Sequence, residues 1–164
     1  MKTLLLVVLL TMTVACGRSE EGAIKEQIET IAETLSAPAN EGDLSRLARI
    51  AALRKVFAPD VRVSLGGAAA PGAQAAPEVV GRDAMLGLVG RWAPPSGGVQ
   101  VEFVDVQVTL DESRTTAQVY GTAKATSGTD DRPVVDAREL TVGFAKIDGD
   151  WVITSVRPEE TLKR

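Results

Sequence analysis

Histidine is absent from the 164-residue chain. Its absence removes the one side chain that ordinarily titrates near neutral pH. It also removes Ser-His and Cys-His nucleophile pairs and every His-ligated metal site. Cysteine occurs once, as Cys16, so an internal disulfide and a multi-thiolate zinc site are both excluded. Aromatic residues make up 4% of the chain, too few to build a platform for stacking bases. Basic residues are outnumbered, 18 to 22, for a formal net charge of −4, which does not draw in a phosphate backbone. Nucleic acid is therefore not an expected partner. Asp148-Gly149-Asp150 is far too short for a calcium loop, so no metal and no cofactor is expected. Any catalysis must rest on carboxylates, Lys, Arg, Tyr or hydroxyls.

What the chain does have begins with Lys2 and the apolar run from Thr3 to Ala15, which ends at Cys16. A positive charge, a short apolar stretch and small residues before a cut are the layout of a secretory signal. The run falls short of the roughly 20 residues that a membrane span needs. Thr13-Val14-Ala15-Cys16 resembles the lipobox of bacterial lipoproteins. That resemblance implies removal of residues 1–15 and a lipid on Cys16, which anchors the protein in the cell envelope, with 16–22 as a short tether. Gly17 then favours the outer membrane, facing the periplasm. Cleavage after Ala15 as an ordinary signal, leaving Cys16 free on a soluble periplasmic or secreted protein, is the alternative.

Beyond the tether, Ile24, Ile28, Ile31 and Leu35 recur at helical spacing, with Glu20 and Glu21 in the first turn and Pro38 beyond the end. In a second helix the spacing aligns Leu47, Ile50, Leu53 and Phe57, with Arg46, Arg49, Arg54 and Lys55 spread over a solvated surface. A short strand carries Val61, Val63 and Leu65; a Gly/Ala/Pro-rich loop follows, then a short helix that turns Met85, Leu88, Val89 and Trp92 inward. From Val99 the period becomes two, and strands are expected at about 99–111, 114–126, 133–147 and 150–157. In the first of these, Val99, Val101 and Phe103 are odd while Val104, Val106, Val108 and Leu110 are even, which requires a bulge or sharp bend. Asp148-Gly149 predicts a type I′ hairpin. Helices followed by a bent antiparallel sheet give an α+β domain over 23–157, with 158–164 as a tail.

Gly42-Asp43-Leu44, Phe57-Ala58-Pro59-Asp60-Val61, Gly81-Arg82-Asp83-Ala84 and the hairpin stretch Lys146 to Ile153 occur in an order and spacing that resemble the nuclear-transport-factor-like superfamily. That superfamily includes ketosteroid isomerases and SnoaL-like cyclases. The resemblance implies a cone-shaped barrel, a bent antiparallel sheet wrapped around N-terminal helices. Its catalytic sets do not carry over: Arg62 to Gly66 contains no acid where the isomerases would place a base, and Tyr120, the only tyrosine, lies on an expected strand instead of a helix. The cyclases' His-Asp pair has no histidine here. No catalytic residue is therefore assigned.

Three residues on one face of 133–147 are candidates for a ligand: Asp136, Arg138 and Phe144. Phe144 points to the core, and Asp136 and Arg138 share its parity nearer the strand's start, where a cone would open. A guanidinium there suits a carboxylate. Ala117, Val119, Gly121, Ala123 and Ala125 form a small-residue face that leaves room for a cavity or for close helix packing. On the opposite face, Thr116, Gln118, Tyr120, Thr122 and Lys124 suit a homodimer or another protein partner. The expected role is that of an envelope module binding a small molecule or a protein; the alternative is a carboxylate-dependent isomerase or hydrolase.

Overall fold

The computed structural model of the chain describes residues 19–64, 66, 77–91, 97–129 and 131–159. The expected signal sequence, Cys16, most of the Gly/Ala/Pro-rich loop, Trp92 and the end of the C-terminal tail lie outside these residues.

Helix α1 spans Glu20–Leu35 and starts where Ser19 Oγ accepts the Gly22 N–H at 3.0 Å. It buries Ile24, Ile28 and Ile31, as their spacing predicts. Its start is clasped to the sheet, with Lys146 Nζ and Trp151 Nε1 donating to the two oxygens of Glu20 at 2.6 and 2.8 Å. The Lys146 bond, then the Trp151 bond, hold the Glu20 carboxyl below its ordinary pKa. At the other end Ser36 Oγ accepts the Val101 N–H, and Ala37 exchanges backbone hydrogen bonds with Val99.

Helix α2, Asp43–Val56, corrects the expected phase. Leu47 is 60% exposed, whereas Arg49, Leu53 and Val56 are buried. Arg49 donates through Nε and Nη2 to both oxygens of Glu41 at 2.9 and 2.7 Å. The paired side chains are 7% and 4% exposed. A bidentate ion pair of this kind turns the Arg49 face inward and leaves Leu47 outside. Phe57 is the C-cap of α2 and already extended, so strand β1 (Phe57–Ser64) follows without a loop. Strand β2 (Glu78–Val80) pairs antiparallel with β1. Helix α3 (Arg82–Arg91) buries Leu86 and leaves Met85, Leu88 and Val89 half-buried. Its contacts with α2, β1 and β2 widen the covered stripe beyond the expected positions.

Strands β3 (Val99–Leu110), β4 (Thr116–Thr129), β5 (Arg132–Ile147) and β6 (Asp150–Pro158) follow the predicted ranges within a few residues. The sheet order is β2-β1-β6-β5-β4-β3, with β1 and β6 parallel and the other neighbours antiparallel. The parity change in β3 is a bulge: the register shifts between Val104 and Gln107, and Asp105 has φ 56. Asp148 and Gly149, at φ 53 and 96, make the expected I′ turn. The β3–β4 turn is organised by Asp111, whose carboxylate accepts the Ser113 hydroxyl and the N–H groups of Thr115 and Thr116. The Ser113 bond, followed by the backbone bonds, lowers the Asp111 pKa to about 2.

Candidate functional site

Strand β4 sets the site by being too small to fill it. Opposite Phe103 and Arg138 on the neighbouring strands stands Ala123, and opposite Leu140 stands Gly121. At Gly121 a Cβ would lie 3.3 Å from the Val104 carbonyl oxygen beside the β3 bulge, a tight approach that a larger residue would relieve only by a small shift of β3. The small face therefore leaves a cavity of about 180 Å³ between sheet and helices. Leu140, Val142 and Phe144 of β5 form one wall, and Val101, Phe103 and Val106 of β3 form another. Ile28, Ile31 and Leu35 of α1 and Met85 of α3 close it over. All the lining residues are apolar. Such a hole is of the size and character that stays dry and accepts a ring-sized apolar molecule.

The three ligand candidates separate along β5. Phe144 is 2% exposed and lines the cavity. Arg138 and Asp136 continue the same face beyond Leu140, at the rim, where both are exposed and pair with each other at 3.3 Å. They flank the hole instead of lining it, because β5 runs on past the core: residues 132–138 are all exposed. The polar face of β4 lies outward, with Thr116, Gln118 and Tyr120 exposed.

Helix periodicity alone does not reveal the cleft between α1 and β3. It is lined by Lys25, Glu29, Glu33, Ser36, Gln100 and Glu102. On α1 these acids read as an ordinary solvated helix face, and only the packing of α1 on the edge strand makes them walls. Among the described residues no group of three or more acids, histidines or cysteines could hold a metal ion. Chemically, the cavity can bind and desolvate an apolar body, and its wall carries no proton donor or acceptor side chain. Acid–base work is therefore confined to its rim and to the adjoining cleft.

The SnoaL-like domain family matches residues 26–157. None of the curated proteins matches the chain in sequence. Several solved structures share its fold. One is an NTF2-like protein with a cystatin-like fold from Novosphingobium aromaticivorans, 12% identical, covering 88% of this chain and 84% of its own at a TM-score of 0.66. A provisionally named scytalone dehydratase from the same species is 18% identical, covers 85% of this chain and 83% of its own, and scores 0.57. A provisionally named polyketide cyclase from Xanthomonas campestris is 17% identical, covers 88% and 94%, and scores 0.50. At these identities the likeness is one of fold.

Proposed function

From the premise that the chain belongs to the SnoaL-like domain family, we propose that the domain takes a small, largely apolar molecule into the sheet cavity. The observation that carries this reading is the cavity itself, about 180 Å³ with a wholly apolar lining. Burial of a ring or short hydrocarbon there contributes about 25 cal/mol per Å² of apolar surface removed from water. The test is native mass spectrometry of the purified protein, reading any co-purified small molecule or an added apolar probe such as toluene. Ala123→Leu, which projects a larger side chain into the hole, should abolish the adduct while costing about 1–3 kcal/mol of stability through overpacking. An adduct that survives this substitution places the ligand elsewhere.

The names of the fold relatives favour a second reading, chemistry on the bound molecule by a carboxylate-dependent isomerase or hydrolase, over a purely binding module. In this chain such chemistry falls to the rim, with Asp136 as the carboxylate and Arg138 orienting an anionic group. Asp136→Asn then leaves the adduct in place and removes turnover; equal turnover in the variant excludes Asp136.

For location we propose that Cys16 carries the lipid that the lipobox resemblance implies, which holds the domain on the envelope. Cys16→Ser should shift the protein from the membrane fraction to the soluble one, and a wild-type protein recovered soluble and unlipidated contradicts the assignment.

A further inference from the structure

The apolar cavity and the α1–β3 cleft share four residues: Ile28 on α1, and Val101, Phe103 and Val106 on β3. Val101, Phe103 and Val106 are half-buried, one side facing each space. The β3 bulge at Asp105 lies directly beside Val106, where it bends the edge strand next to the helix. From this shared wall we infer that the cleft is the way into the cavity, and that its charge selects a ligand with an apolar body and a cationic head, an aralkyl or alkyl amine. The inference rests on the small-molecule reading above and assigns the ligand its class.

Electrostatics and desolvation act together here. A charged head inside the hole would lose its water with no polar partner to replace it, so it must remain in the cleft while the body enters. The cleft offers it three carboxylates, Glu29, Glu33 and Glu102, against one ammonium, Lys25. Lys25 is occupied by Glu21 at 2.7 Å, and Glu102 is occupied by Lys124 at 2.6 Å. Glu29 and Glu33 are one turn apart on α1, exposed, and in no ion pair with another described residue. They are the two acids left to meet an incoming cation in the cleft that Phe103 and Val106 also line. An anionic head on the same body meets repulsion from the same pair.

The full-length protein in detergent is titrated with three probes of one shape: phenylbutylamine, butylbenzene and phenylbutyrate. The amine should bind about tenfold tighter than the carboxylate, as expected for two carboxylates acting across a solvated cleft, and added salt should narrow the gap. Glu29→Gln with Glu33→Gln, both at exposed helix positions, should erase the preference and leave butylbenzene binding unchanged. Butylbenzene binding without any amine preference, or a preference that survives the double substitution, overturns the cleft inference and leaves the cavity reading standing. Failure of all three probes to bind overturns both.

Discussion

Phe144→Ala is expected to cost about 3–5 kcal/mol of folding stability, the range for deleting a buried aromatic ring. Phe144 is 2% exposed and belongs to two structures at once. It packs in the core cluster with Ile24, Leu53 and Val61, and its ring forms part of the cavity wall. Its strand neighbours cannot close over the loss: Ala117 faces it on β4 and has no bulk to give, and Ile153 on β6 is itself buried. The space vacated therefore joins the existing hole, and the variant should accept a larger apolar probe than the wild type. Denaturant unfolding should show a lower midpoint with an unchanged slope. A loss below about 1 kcal/mol would mean that the wall collapses inward and the hole is not maintained by rigid packing.

Arg49→Ala should be comparably damaging, by about 3–5 kcal/mol, because it strands a buried carboxylate. Glu41 is 4% exposed on its side chain and receives both hydrogen bonds from Arg49. Those bonds are the main reason that the Glu41 carboxyl is held below its ordinary pKa. The sign for pH follows. A depressed folded-state pKa contributes stability that is present above the ordinary carboxylate value and is lost as the pH falls through the depressed one. In Arg49→Ala the depression disappears, since burial without its partner pushes Glu41 upward and protonation relieves the variant. The deficit should thus be largest near neutrality and narrow as the pH falls through and below the carboxylate range. Replacing both residues by apolar ones of similar volume should recover much of the loss, since the penalty lies in the unpaired charge. A deficit that does not change with pH would assign the cost to lost packing of the arginine stem.

These two sites differ in how far the amino-acid sequence reveals them. The face of Phe144 follows from strict alternation over Leu140, Val142 and Phe144, and the β3 bulge from the change of parity between Phe103 and Val106. Period-two patterns survive because each strand packs one face against a continuous core. Helix α2 is different: its leucines and isoleucine suggest one phase, and a single buried ion pair to a loop glutamate imposes another. Nothing in the spacing of Glu41 and Arg49 announces that pairing, because eight residues separate them across a helix start. The small face of β4 suggests close helix packing ahead of a cavity, and the structure has a cavity there because of what α1 and α3 set against it. Asp136 and Arg138 have the right parity but the wrong depth, since β5 overshoots the core by seven exposed residues. Glu29 and Glu33 become a mouth only when α1 lies beside the edge strand.

An NMR titration of the protein with toluene decides whether an apolar molecule enters the sheet cavity. Saturable shifts concentrated at Phe144, Val142 and Ala123 are expected, and they should be absent in Ala123→Leu. No saturable shift, or shifts centred on the exposed Val134 and Val135 or on Tyr120 of the outer face, would contradict such entry.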